Sequence, residues 1–221
     1  MDSSPFRAGG PNHPYVHTDE SAFSVVDLNL WRRWRERAYR QFLEDIEIGY
    51  VDYDLVPLIR IVFERQPNLF TISSCSGRIV IVDTDYPWLR DEAYIVFKKH
   101  SPVKIDEVQR ILAQPCLSRL WLIASGPIIH FVANSLEAAL HLLKRVRSIG
   151  FKHSGIISVS RDGIVVEVVS GVWTSFLLKE QNTVVLHDQG LQYTINVANK
   201  ILVEAKKRLA KLYKLLFYEV M

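Results

Sequence analysis

The chain has 221 residues, 48% of them hydrophobic and 23% charged, which is enough apolar material for one substantial core without disulfide or metal cross-links. No apolar run is long enough to cross a bilayer and nothing resembles a secretory leader, so a cytoplasmic protein with no membrane partner is expected. The net charge is only +3, and the two cysteines and seven histidines are scattered rather than paired at ligand spacing, so no metal is expected.

Residues 1–30 are rich in Ser, Pro, Gly and Asp and show no periodicity, which reads as an extension that is flexible or draped over a single domain at 31–221. Trp31, Trp34, Ala38, Phe42 and Ile46 then recur at helical spacing. Arg32, Arg33, Arg35, Arg37 and Arg40 fall largely on the other side, and the two tryptophans belong to the core or a cleft wall. Pro57 fits the first turn of a helix over 55–65, where its missing N–H is harmless. Strands follow at 70–75, 78–83 and 93–99. The loop at 84–91 holds Tyr86, Pro87 and Trp88, aromatics that either close over a bound base or, through Trp88, plug the edge of the core.

A helix over 105–113 stops before Pro115, and strands at 119–124 and 128–133 flank a turn at Gly126 and Pro127. The helix over 136–148 has Asn134 or Ser135 as its cap and Gly150 as its stop. Asp162 and Gly163 make the clearest hairpin, joining 156–160 to 164–169. Two short strands at 175–179 and 183–186 lead to a last helix over 189–218, whose stripe from Leu191 to Leu216 faces the core. Its far end is able to support a second copy, so a monomer or weak homodimer is expected. Lys200, Lys206, Lys207, Arg208, Lys211 and Lys214 decorate that helix and, with the arginine cluster near residue 35, offer two surfaces for an anionic polymer. The alternation of strands and helices predicts an α+β domain around a mixed sheet. No Gly-x-Gly-x-x-Gly follows the first strand, so the fold is not Rossmann-type.

Ser73, Ser74, Cys75, Ser76, Gly77 and Arg78 interrupt two apolar strands with small polar groups, a glycine and a planar cation. Such a string lets backbone N–H groups approach a ligand, and Arg78 suits a carboxylate or phosphate. A phosphatase loop is excluded, because its arginine would stand six positions after the cysteine and Arg78 stands three after Cys75. Two plainer readings remain for these residues: a Ser-rich bulge for the string and an inert core thiol for Cys75.

The string resembles the signature of the wybutosine-synthesizing tRNA methyltransferases. Further segments are similar in the same order: Asp52 before the helix at 55–63, Pro127 to His130, the helix start at Ser135 to Ala139, Gly150 to Ile156, and Ala198, Asn199, Lys200. Departures occur where relatives carry a Gly-rich turn and Trp before a strand, here Asp91 to Tyr94, at Ser125 and Gly126, and at Val169. The resemblance implies a sheet curling toward a barrel, S-adenosylmethionine as cofactor, and the anticodon region of phenylalanine tRNA as partner. It also implies roles for individual residues. His100 is the expected general base. Ser74, Cys75, Ser76, Gly77, Phe151, Ser154 and Gly155 are expected on the cofactor, and Ser73, Arg78, His130, His153, Asn199 and Lys200 on the substrate. The strings at 73–78 and 150–156 are expected to face each other across one cleft. A relative that binds tRNA without methylating it, and a pocket for another adenosine-like molecule, stay open as alternatives.

Overall fold

The structure, a computed structural model, describes residues 25–181 and 183–220; residues 1–24, most of the expected extension, lie outside the described residues. Helix α1 (Leu28–Glu47) starts at Asp27, whose side chain accepts from the N–H groups of Asn29 and Leu30, so it begins ahead of the first tryptophan. A short 3₁₀ turn (Tyr53–Leu55) runs into α2 (Val56–Arg65), with Pro57 in the first turn. The remaining helices are α3 (Ile105–Leu112), α4 (Leu136–Ser148) and α5 (Asp188–Tyr218). The strands are β1 (Leu69–Cys75), β2 (Arg78–Asp83), β3 (Tyr94–Lys99), β4 (Arg119–Ser125), β5 (Ile128–Ala133), β6 (Gly155–Ser160), β7 (Gly163–Val169), β8 (Trp173–Glu180) and β9 (Thr183–Val184).

The strands form two open sheets, ordered β1-β5-β7-β6 and β3-β2-β4-β8-β9, and every pairing is antiparallel. The architecture is α+β, but the expected mixed sheet is corrected. The segments containing α3 and α4 join β3 to β4 and β5 to β6, and in each case an antiparallel strand lies between the joined pair. Parallel neighbours therefore never arise.

The two orders share a pattern: β1, β5 and β7 lie side by side in one sheet, and β2, β4 and β8 lie side by side in the other. Each pair joined by a short turn (β1 with β2, β4 with β5, β7 with β8) is thus one long strand bent in the middle, and the three bends fall in line. Gly126 N–H donates to Val172 O at 2.7 Å and Ser170 N–H to Pro127 O at 3.1 Å across this line. Gly77, at φ +99°, is packed so closely there that a Cβ would stand 2.8 Å from Ser125 O and 3.1 Å from Ala205 Cβ.

Helix α5 crosses the bend. Leu191, Ile195, Ala198 and Leu202 join the core of the five-stranded sheet, and Leu209, Leu212 and Leu216 join that of the four-stranded sheet with α2 and α4. Each fully buried leucine contributes about 1.5–3 kcal/mol, so this one stripe fastens both halves. On α1, Trp31 and Trp34 meet the Phe70 ring edge-on, each at 5.4 Å, and Trp31 is buried. The tryptophans are core and cleft wall, as their spacing implied.

Candidate active site

Residues paired in antiparallel strands point to the same face. Ser73 pairs with His130, His130 with Glu167, and Glu167 with Gly155, which makes one row across all four strands. Ser74 pairs with Ile129, and Ile129 with Val168, on the buried face. A register shift between Thr71 and Ser73 separates these positions from the regular alternation before them. Because β1 is an edge strand, one row of its backbone groups has no partner strand.

Beside that edge lies an open cavity of about 850 Å³. Its walls are α1 through Trp34, Arg37 and Asp45, the turn at Tyr50 to Asp52, β1 from Thr71 to Cys75, and Arg78, Lys98 and His100. The Ser74 hydroxyl oxygen is buried in this wall without a hydrogen-bond partner among the described residues. Such a group is costly unless a ligand completes it. Arg37, Arg78 and Lys98 have no carboxylate within ion-pair distance among the described residues. The cavity therefore combines an unsatisfied hydroxyl, free strand-edge groups and three uncompensated cations, a surface suited to a ligand bearing carboxylate or phosphate.

His100 enters from the end of β3. Its Nδ1 lies 2.9 Å from Asp52 Oδ2 and 3.0 Å from Gly77 O. Asp52 Oδ2 also accepts the Ser76 N–H at 3.2 Å. Behind the turn, Lys206 Nζ donates to Ser76 Oγ and to Asp54 Oδ2, each at 2.5 Å.

Several residues expected at the site are used elsewhere. Ser76 is buried and its hydroxyl meets Lys206, so that side chain braces the turn instead of reaching the cavity. Phe151 is fully buried in the core of the four-stranded sheet. Ser154 Oγ accepts the Val169 N–H, and its carbonyl accepts from Arg147 Nε and Nη2. Asn199 spends both ends of its amide on the Val103 backbone, at 2.8 and 2.9 Å. The side chains of these four are packed or hydrogen-bonded within the protein and do not line the cavity. Lys200 is exposed on α5 and does not line the cavity, and the His153 ring sits where Gly171 leaves no room for a Cβ.

His130 Nε2 lies 3.3 Å from Glu167 Oε1. Three strand spacings separate Ser73 from Gly155, about 14 Å. Ser73 and Gly155 thus share a face of one sheet at opposite edges, and the cavity is lined by residues of the 73–78 string and none of 150–156. Trp88 is 69% exposed and stacks on Tyr86 at 4.7 Å, with the Arg119 guanidinium over the Tyr86 ring, so it does not plug the core. Among the described residues no His/Cys/Asp/Glu group is arranged to hold a metal ion, and no helix is long and apolar enough to cross a membrane.

The sequence reading missed Arg37 and Lys98 as cavity residues and treated Asp52 only as a landmark. Arg37 carried a signal, because it lies on the turn after Trp34, the cleft-wall tryptophan.

Two bent antiparallel sheets with a cavity at a strand edge leave no place for a parallel nucleotide-binding crevice. The family described as Methyltransferase TYW3 matches residues 33–217, and this chain belongs to it. A protein of Saccharolobus solfataricus named tRNA(Phe) 7-((3-amino-3-carboxypropyl)-4-demethylwyosine(37)-N(4))-methyltransferase is 37% identical over 187 residues, 85% of this chain and 90% of that one. A protein of the same name from Aeropyrum pernix is 35% identical over 165 residues, 74% of this chain and 87% of that one. The solved structure of the PH1069 protein from Pyrococcus horikoshii superposes with a TM-score of 0.81 at 28% identity, covering 87% of this chain and 98% of that one. The protein is accordingly a methyltransferase.

Proposed function

We propose that this chain transfers a methyl group from S-adenosylmethionine to N4 of a 4-demethylwyosine-type base at position 37 of phenylalanine tRNA, in the cavity beside β1. The observation that carries the reading is the meeting of Ser73 to Cys75, Arg78 and His100 around one space whose wall holds the unpartnered Ser74 hydroxyl. That chemistry fits the donor: its amino acid end offers a carboxylate to the Ser74 hydroxyl and the free edge of β1, and its ribose hydroxyls suit the same polar strip. When bound, S-adenosylmethionine supplies a methyl group on a cationic sulfur, open to in-line displacement.

The residues of the chain then have distinct tasks. Arg78 faces the RNA side, where the carboxylate of a 3-amino-3-carboxypropyl chain or a phosphate balances its charge, because a cation next to the sulfonium gains nothing. His100 accepts the proton that N4 loses as the nitrogen–methyl bond forms and the methyl–sulfur bond breaks. Arg37 on α1 lines the cavity, and with the exposed Arg32, Arg33 and Arg40 of the same helix it provides for phosphates of the anticodon arm.

The test is methyl transfer to phenylalanine tRNA carrying the unmethylated base, paired with calorimetric titration of S-adenosylhomocysteine. Wild-type protein is expected to bind the nucleoside and turn over, and His100→Ala to keep both affinities while losing about 10²–10⁴-fold in kcat. Absence of both binding and turnover refutes the function. Binding of S-adenosylhomocysteine and tRNA without turnover moves the chain to a non-methylating tRNA binder. A fully active His100→Ala protein removes the base.

A further inference from the structure

Helices α3 and α5 build the core on one side of the five-stranded sheet, where Ile79, Leu122 and Leu178 are buried with Val108 and Leu191. Alternate positions of the same strands point to the other side. Arg78 pairs with Ser125 and Ser125 with Trp173, so these three stand in one row on that opposite face. Lys98, Val80, Ile123 and Ser175 make the next row by the same pairings. Arg78 and Lys98 also line the cavity, so both rows lead away from it across the sheet.

Trp173 is 67% exposed, and its ring has no aromatic or cationic neighbour among the described residues. Its backbone is anchored at the bend, where Val172 O accepts the Gly126 N–H at 2.7 Å and the Val172 N–H donates to Ser170 Oγ at 3.3 Å. Two strand spacings set Arg78 and Trp173 about 10 Å apart, with only the small Ser125 between them. We propose that Trp173 is the platform on which the tricyclic base at position 37 stacks, while Arg78 holds the carboxylate of its 3-amino-3-carboxypropyl chain at the other end of the row. The proposal rests on the methyl-transfer reading above and gives that cavity a hold on the flat faces of the base. Other occupants use only half of the row. A phosphate backbone meets the cations and leaves the indole idle, and an apolar face of a second copy buries Arg78 and Lys98 without a counter-charge. Three fused rings bury more area on an indole than guanine does, so the platform favours the modified base over an unmodified one.

Binding of the full-length protein to two forms of phenylalanine tRNA tests this, one bearing the unmethylated tricyclic base with its side chain and one bearing guanosine at position 37. The wild-type protein should prefer the first. Trp173→Ala should lose about 5- to 150-fold in affinity for the first tRNA and little for the second, whereas Trp173→Phe keeps most of that affinity. S-adenosylhomocysteine affinity should stay within about threefold in both variants, because the indole is exposed and stands outside the cavity wall. In methyl transfer the KM for the tRNA should rise by the same factor, with kcat within about threefold. Equal losses for the two tRNAs assign the indole to general RNA contact and overturn the proposal. Unchanged affinity for both, or a loss that follows a change from dimer to monomer in sedimentation, overturns it as well. Wild-type turnover matched by Trp173→Ala refutes the platform alone, whereas a wild-type protein that neither binds S-adenosylhomocysteine nor transfers methyl refutes the function along with it.

Discussion

Gly77→Ala tests whether the bend between the sheets depends on close backbone approach. At φ +99° an alanine there is strained at a cost of about 1–3 kcal/mol. Its Cβ would also stand 2.8 Å from Ser125 O, 3.1 Å from Ala205 Cβ and 3.3 Å from Gly126 C. Two of these neighbours are backbone atoms of the adjacent bent strand and cannot rotate away, so crowding adds about 1–3 kcal/mol. A loss of roughly 2–6 kcal/mol is expected in urea unfolding, with an unchanged m-value. Gly150→Ala is the matched control, because Gly150 has φ +110° and no atom within 4 Å of its would-be Cβ. It carries the backbone strain alone. Since Gly77 O is one of the two acceptors at His100, the substitution at 77 should also lower kcat, which the one at 150 should not. Equal stability losses in the two variants would refute the argument from close approach.

Ser74→Ala removes a buried hydroxyl that has no partner, so unfolding should show unchanged stability or a gain of up to about 1 kcal/mol, while S-adenosylhomocysteine affinity measured by calorimetry falls. A stability loss instead would mean that the hydroxyl is satisfied within the protein. Glu107 gives a pH signature: its hydrogen bond from Lys99 and then the Lys104 N–H hold its carboxyl below the ordinary value of 4.5. A folded-state value lower than the unfolded one stabilises fully above 4.5, and that contribution is lost as the pH falls from there through the folded value. Glu107→Gln should therefore flatten the acid limb of a stability profile from urea midpoints, and an unchanged limb would count against the pairing.

Much of the local structure is written in local spacing. The recurrence of Leu191, Ile195, Ala198 and Leu202 marks one face of α5, Asp162 with Gly163 turns β6 into β7, and Pro57 opens α2. The string from Ser73 to Arg78 stands out because small polar residues have no place in a core strand, and the cavity does contain most of it. Local spacing does not show that the side chains of Ser76, Phe151, Ser154 and Asn199 are engaged within the protein. Each has a residue type suited to a ligand, yet their side chains are taken up by Lys206, by the core, by Val169 and by Val103.

The sequence alone determined which stretches become helix or strand, where the chain turns, and which face of each element is apolar, since periods of two and of 3.6 are properties of neighbouring residues. Only the tertiary structure decided that β1 and β2 are one bent strand in line with two others, that Ser73, His130 and Glu167 share a row, and that Asp52 holds His100. Those relations depend on the register between distant strands and on backbone approach at Gly77. Register and approach are fixed by which contacts the assembled chain satisfies together, and no window of consecutive residues contains that information.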